Sequence, residues 1–161
     1  MVIESKLSER DFINATFVLL YSKRYIKITI AVFVLIFLVN IAGLIFNPVS
    51  SSYWQLFVLV GVLFVRPIII YINVKRSFAS NKRSGELVIY TFGNDYLSIK
   101  GESFSTELSW DKIYKVTQSK NWVFIWQNKG FANILSKQDI WEEQIDQLKV
   151  ILQHHKVKNT L

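Results

Sequence analysis

The chain has 161 residues, 51% of them hydrophobic, and it carries a formal net charge of +7. It contains no cysteine, which excludes disulfides, thiolate nucleophiles and thiolate metal sites. All the excess positive charge comes from residues 12–85, which contain eight basic residues and no carboxylate. Because these charges flank long apolar runs and the rest of the chain is nearly neutral, the composition predicts membrane insertion and argues against nucleic-acid binding.

Residues 1–25 form the first predicted block, a short N-terminal strand followed by an amphipathic lead-in helix. Apolar and polar residues alternate over residues 2–7, which is the period of a strand. Ser8 can cap the first turn of the helix, and Asp11 lies three residues further on, near its positive end. We expect the helix to lead the chain to the membrane surface.

Residues 26–74 are predicted to form a transmembrane hairpin with spans at 26–46 and 53–72. The first span contains a single charge, Lys27, and as a helix it would be roughly 31 Å long, the thickness of the hydrocarbon core of a bilayer. The second is interrupted once, by Arg66 and Pro67. Pro48 and three serines between the runs predict a tight turn.

Basic residues orient this hairpin. They precede the first span and follow the second, whereas the connecting loop carries no charge, so the positive-inside rule places both termini in the cytoplasm. We therefore expect a multi-pass protein of the plasma (inner) membrane. The membrane-interface basic residues are Lys23, Arg24, Lys27, Lys75, Arg76, Lys82 and Arg83.

Two polar residues lie within the predicted spans. Arg66 is roughly 9 Å from the cytoplasmic end of its span and Asn40 about 21 Å from the same side, so the two should not meet. A charged residue within a transmembrane span is energetically costly, so it usually indicates a functional site. Two interpretations of Arg66 remain open, namely snorkelling to lipid phosphates and docking to an acidic residue of a partner protein.

From Glu86 the pattern changes to short runs rich in aromatic and β-branched residues, separated by turn residues, and it ends in a helix. Residues 86–157 are therefore predicted to form a small antiparallel β-sheet or barrel capped by a C-terminal helix. The fold class expected for the chain is an α+β membrane protein. The helix is expected to begin near Asp139, with Trp141, Ile145, Leu148 and Leu152 on its apolar face. This order of elements is the pattern of pleckstrin-homology-like domains.

Specific residues extend that resemblance. The segment from Leu108 to Val116, with Trp110, Asp111, Ile113 and Val116 as its most specific positions, resembles the YcxB-like family of bacterial membrane proteins. The aromatic strand 122–126 and the N-terminal layout are similar too. The chain departs from the family before the last helix, where an otherwise basic cluster is reduced to Lys137. The resemblance implies a fold and a topology, and no defined biochemical role.

The predicted sheet offers two candidate contact regions. Trp122 and Trp126 lie on a strand that is apolar on both faces, so they are either core residues or exposed anchors for a partner protein. A lipid-headgroup site is conceivable at the lysines of this domain, although acidic residues are interspersed among them and each lysine can equally be a solvated position. These lysines are Lys112, Lys115, Lys120, Lys129 and Lys137.

No catalytic constellation is evident. His154 and His155 are adjacent on a helix and point about 100° apart, so they cannot easily share one metal ion. We therefore expect no enzymatic activity, no cofactor and no metal. Three functions compete: a membrane-anchored interaction or regulatory module, an immunity protein directed against a toxin, and a lipid-headgroup-binding domain. The expected partners are membrane lipid and an unidentified protein, and homo-oligomerisation is left open.

Overall fold

The computed structural model describes residues 1–46 and 53–161, so the predicted turn around Pro48 lies outside the described residues. The chain divides into two compact units. One, here called the helical unit, comprises Thr16–Ser77. The other, the sheet unit, combines Met1–Ala15 with Phe78–Leu161.

The helical unit contains long apolar helices. Helix α1, Glu9–Tyr21, begins in the sheet unit and ends in the helical unit, and helix α2 spans Arg24–Phe46. Helix α3, Tyr53–Val60, continues through a π-helical turn at Gly61–Val65 into α4, Arg66–Ser80. Two helical segments, Arg24–Phe46 and Phe57–Ser80, are long and apolar enough to cross a membrane. The second predicted span ended at residue 72, but the helix continues to Ser80 because no breaker intervenes.

Helix α2 has no buried residue. Its half-buried positions nevertheless recur every three or four residues and so form one stripe along the helix, while the rest of the surface is exposed. This stripe consists of Ile26, Thr29, Ile30, Phe33, Phe37, Asn40 and Leu44. The exposed face is as apolar as the stripe, and includes Leu35, Leu38 and Ile45.

The sheet unit contains seven strands in two antiparallel sheets. The first has the order β1-β2-β3-β4 and the second β5-β6-β7, and no ladder joins them into a closed barrel within the described ranges. The bounds are β1 Val2–Lys6, β2 Leu87–Phe92, β3 Tyr96–Lys100, β4 Ser105–Ser109, β5 Lys115–Gln118, β6 Trp122–Trp126 and β7 Ala132–Ser136. The α+β prediction is confirmed, with two separate sheets as its form.

Strand β1 pairs with β2, although 80 residues of chain separate them. The register runs antiparallel, from Val2 opposite Thr91 to Lys6 opposite Leu87. Ile3 and Ser5 point into the unit, and the buried Ser5 hydroxyl donates a 2.5 Å hydrogen bond to Asp139. A buried hydroxyl without a partner would be destabilising, so this bond makes the position tenable.

Helix α1 begins as its sequence predicts. The Ser8 hydroxyl accepts a hydrogen bond from the Asp11 amide at 3.1 Å and donates one to the Asp11 carboxylate at 2.6 Å. This reciprocal cap satisfies amides that have no partner within the helix. The Phe12 ring then lies 5.4 Å from that of Phe78, inside the sheet unit.

Both sheets and the last helix, α5 (Glu142–His154), share one hydrophobic core. Leu97, Leu135 and Leu152 are fully buried in it. The buried Tyr90 hydroxyl donates a hydrogen bond to the Ile134 carbonyl, which links the two sheets, and burial raises the pKa of this phenol. The core thus depends on residues from every part of the unit.

The prediction for the start of α5 was wrong in one respect. The helix begins at Glu142, after a 3₁₀ turn at Lys137–Asp139, and Trp141 precedes it as the N-cap residue. Because an N-cap residue has extended backbone angles, Trp141 leaves the apolar face, and its side chain is 78% exposed. Leu148 and Leu152 form the buried face, as predicted.

Candidate functional site

The helical unit contains a cavity of about 270 Å³. The end of α1, the first half of α2 and the segment around the π-helical turn surround it. Its wall is apolar, with Ile30 and Phe33 among its residues, except for Tyr21, Thr29 and Arg66. The Thr29 hydroxyl donates to the Tyr25 carbonyl in its own helix, which is the ordinary way to satisfy a hydroxyl in an apolar helix.

The backbone beside the cavity is irregular. The π-helical turn Gly61–Val65 comes directly before Arg66 and Pro67. Pro67 has no amide hydrogen, so it cannot donate to the carbonyl of Leu63, four residues before it. Leu63 and Pro67 both line the cavity. Single π-helical turns within α-helices often occur at functional sites, which makes this segment the first candidate.

Arg66, predicted as an intramembrane polar residue, forms part of this wall and is exposed. Its guanidinium makes no hydrogen bond or ion pair with any residue in the described ranges. The sequence of the helical unit contains no carboxylate that could pair with it. The charge is therefore available to an anion from outside the chain.

Asn40, the second predicted intramembrane polar residue, is on the half-buried stripe of α2 and does not line the cavity. Its side-chain amide donates a 2.8 Å hydrogen bond to the Ile36 carbonyl, one turn earlier. The amide group is thus satisfied within its own helix, which is the expected solution in apolar surroundings.

The predicted membrane-interface basic residues lie at helix ends and turns. Lys23, Arg24 and Lys27 surround the start of α2, and Lys75 and Arg76 lie in the last turns of α4. In the sheet unit, the Arg83 guanidinium lies 5.7 Å from the Phe104 ring centroid, within cation–π range. The side chain of Lys82 lies outside the described part of the structure.

The family-motif residues have structural positions in the sheet unit. Trp110 is buried in the 3₁₀ turn between the two sheets, where its ring stacks on Phe92 at 6.4 Å and on His155 at 5.0 Å. Its indole nitrogen donates to the Gly93 carbonyl. Ile113 and Val116 are also buried. These three apolar motif residues therefore join the sheets to the end of α5.

Asp111, the remaining motif residue, is exposed. A hydrogen bond from Ser109 holds the pKa of its carboxyl below the ordinary value, and Lys112, 3.8 Å away, acts in the same direction. An exposed ion pair of this kind contributes little to stability. The hydrogen bond from Ser109 lies within the turn that carries Trp110.

Trp122 and Trp126 are buried rather than exposed as anchors, with 6% and 7% of their surfaces accessible. All five residues of β6 are buried because this strand is central in its sheet. The Trp126 indole donates to the Thr117 hydroxyl at 2.8 Å, and the Lys115 ammonium lies 4.9 Å from its ring centroid. The exposed aromatic residues of the sheet unit instead include Trp141, which the sequence placed on the apolar face of the last helix, and Phe131, which sequence reasoning did not single out.

The two histidines lie side by side at the end of α5. His154 is exposed, whereas His155 is half-buried against Trp110, and their rings make an edge contact at 4.9 Å. Across residues 1–46 and 53–161, no group of three or more His, Cys, Asp or Glu side chains could hold a metal ion. His155 is partly covered because α5 ends beside the Trp110 turn.

Glu86 lies directly before β2, and its carboxylate accepts two hydrogen bonds. Its carboxylate accepts hydrogen bonds from the Ser103 hydroxyl at 2.5 Å and the Ser103 amide at 2.9 Å. These bonds hold the pKa of Glu86 below its ordinary value of 4.5, with a smaller contribution from Arg83. The ionised form is therefore favoured in the folded state.

We expect the stability of the sheet unit to depend on this carboxylate at acid pH. The stabilisation is fully present above pH 4.5, the ordinary value for Glu86, and is lost as the pH falls through the lowered value. Glu86→Gln should therefore flatten the acid limb of the unfolding curve of the full chain, measured by urea denaturation from pH 6 to pH 3 (about the range of carboxylate titration). Glu107→Gln, the same change at an exposed position, is the control. An acid limb unchanged in Glu86→Gln would contradict the prediction.

The comparisons with known proteins concern the sheet unit. Residues 92–152 match the family model described as YcxB-like protein. No curated protein and no solved structure matches the chain significantly. The matched stretch begins at the end of β2, ends within α5 and includes the motif around Trp110. The resemblance to the YcxB-like family is thus confirmed over residues 92–152.

Proposed function

We propose that this chain is a multi-pass membrane protein in which a transmembrane hairpin anchors a non-catalytic, pleckstrin-homology-like interaction module on the cytoplasmic side. The observation that carries the proposal is the exposed apolar surface of α2. No residue of this helix is buried, and Leu35, Val39 and Ile45 are more than 60% exposed. An exposed surface of this size is unfavourable in water and favourable in lipid.

The distribution of charge supports the orientation. Except for Arg66, the basic residues of the helical unit cluster at the start of α2 and in the last turns of α4, while residues 28–65 carry no charge. Short loops on the cytoplasmic side of a membrane are enriched in Lys and Arg. We therefore assign both ends of the hairpin to the cytoplasmic side. The N-terminal strand and the C-terminal domain are then in the same compartment, as their pairing in one sheet requires.

The arrangement of the sheet unit supports an interaction role. A four-stranded and a three-stranded antiparallel sheet followed by one C-terminal helix have the order of a pleckstrin-homology-like domain. Trp141 is the most exposed aromatic side chain of this unit among the described residues, and a large exposed tryptophan is the residue type that most often anchors a protein interface. We propose Trp141 as the first contact residue to test.

Two measurements test the proposal. In the first, cysteines are introduced at Val2, Ser50 and Lys158, and intact cells are treated with a membrane-impermeant thiol reagent. Only Ser50→Cys should be labelled. Crosslinking in cells and affinity purification from the native host should recover a resident membrane protein, and Trp141→Ala should weaken its recovery about tenfold, as for an interface hot spot. Labelling at Val2 or Lys158 would refute the orientation. Recovery of a toxin would replace the adaptor role with immunity.

A further inference from the structure

We propose that the cavity beside Arg66 binds one anionic phospholipid of the cytoplasmic leaflet, with the headgroup phosphate on the guanidinium and part of one acyl chain in the cavity. The inference rests on the membrane insertion proposed above and adds a specific ligand to it. It combines two independent features of the helical unit, an unpaired cation and an apolar cavity at the same place.

The cation defines the charge of the ligand. Arg66 has no hydrogen-bonding or ionic partner among the described residues, and residues 12–85 contain no carboxylate. The planar guanidinium presents paired N–H donors that fit two oxygens of a phosphate group. Lys23, Arg24 and Lys27, at the neighbouring start of α2, add positive charge at the membrane surface. Positive charge there enriches anionic lipids around the protein.

The cavity defines the rest of the ligand. Its volume of about 270 Å³ is near the lower limit for small-molecule pockets, so it accommodates a segment of an acyl chain and excludes a whole lipid. Ile30, Phe33 and Leu63 provide apolar wall. Arg66 lies in the same wall, which places the charged and apolar parts of one ligand side by side. An amphiphile with an anionic head matches both.

An acidic side chain from a second membrane protein matches only one of these features. A carboxylate would neutralise Arg66, but a short Asp or Glu side chain would leave the apolar cavity empty. An empty apolar cavity is unfavourable because its lining loses packing contacts. The lipid fills the cavity and neutralises the charge together, and for this reason we favour it.

The test first treats membranes with alkali, which should not extract the protein if it is inserted. The full chain is then purified in mild detergent. The protein is equilibrated with equal amounts of phosphatidylglycerol and phosphatidylcholine, and native mass spectrometry counts the lipids retained. The wild type should prefer phosphatidylglycerol about tenfold, as expected for one charge-assisted contact. Arg66→Gln should abolish the preference, and Arg66→Lys should restore part of it.

Two further variants separate a specific site from general attraction. Arg76→Gln removes a charge in the last turns of α4 outside the cavity wall and should leave the preference within about twofold of wild type. Ile30→Trp fills the cavity and keeps Arg66, so it should reduce retention of both lipids. Equal losses in Arg66→Gln and Arg76→Gln would overturn the proposal, as would unchanged retention in Ile30→Trp. If Arg66→Gln loses a crosslinked protein but retains lipid as the wild type does, Arg66 pairs instead with an acidic side chain of a partner protein. Extraction by alkali would refute membrane insertion itself, before any lipid is measured.

Discussion

Replacing Trp110 by alanine is expected to cost the sheet unit about 3–5 kcal/mol of stability, the usual cost of removing a buried aromatic side chain. Trp110 is only 4% exposed and lies between the Phe92 and His155 rings. Its removal leaves a cavity where both sheets meet the end of α5, and it also leaves the Gly93 carbonyl without its donor. A loss of this size is a large part of the total stability of a small domain, which is about 5–15 kcal/mol.

Trp141→Ala is the matched control for this prediction, because the same side chain is removed from a position that is 78% exposed. Its expected cost is below about 0.5 kcal/mol, as for most surface substitutions. Pulse proteolysis of the full chain in urea measures both variants without relying on tryptophan fluorescence, which the substitutions themselves change. Equal midpoints for the two variants would show that the Trp110 turn does not hold the sheets together.

The local elements of this fold could be predicted from the sequence. Strand β6 has the predicted bounds, 122–126, because aromatic and β-branched residues fill this run and turn residues flank it. The sequence also predicted the Ser8 cap of α1, because the hydrogen bonds of this cap join residues only three apart in the chain. Such features depend on neighbours in the chain, which the sequence displays directly.

Features that depend on distant neighbours could not be predicted. Trp122 and Trp126 fitted both a core and an exposed interface, and the pairing of β6 with strands on both sides decided in favour of the core. Trp141 fitted the apolar period of α5, but the helix starts one residue too late for it to join that face. Arg66 and Pro67 stood out in the sequence, whereas the cavity beside them arises from the packing of separate helices.

The pairing of β1 with β2 is the clearest long-range feature, because helices α1 to α4 lie between the two strands in the chain. Alternation over residues 2–7 predicted a strand without indicating its partner. Closing so long a loop costs conformational entropy, which the contacts of β1 must offset. The buried Ile3 side chain and the hydrogen bond between Ser5 and Asp139 are the contacts that do so. The YcxB-like match, at residues 92–152, does not include this strand.

Ile3→Asp should therefore disrupt the sheet unit, although Ile3 is far in sequence from the rest of its core. The side chain is 2% exposed, and an unpaired carboxylate at this position is expected to cost more than about 4 kcal/mol. Val2→Asp introduces the same charge one residue away, at a position 52% exposed, and should cost within about 1 kcal/mol. Because both variants change the charge of the N-terminal strand equally, neither orientation in the membrane nor net charge distinguishes them.

Hydrogen–deuterium exchange of the detergent-solubilised full chain measures the effect where it should occur. Amides of β2, the strand that β1 covers, should lose protection in Ile3→Asp and keep it in Val2→Asp, while amides of α2 are unchanged in both. Equal protection of β2 in the two variants would show that β1 contributes nothing to the core. Selective loss in Ile3→Asp would instead establish that the sheet unit is complete only when the chain on both sides of helices α2 to α4 is present.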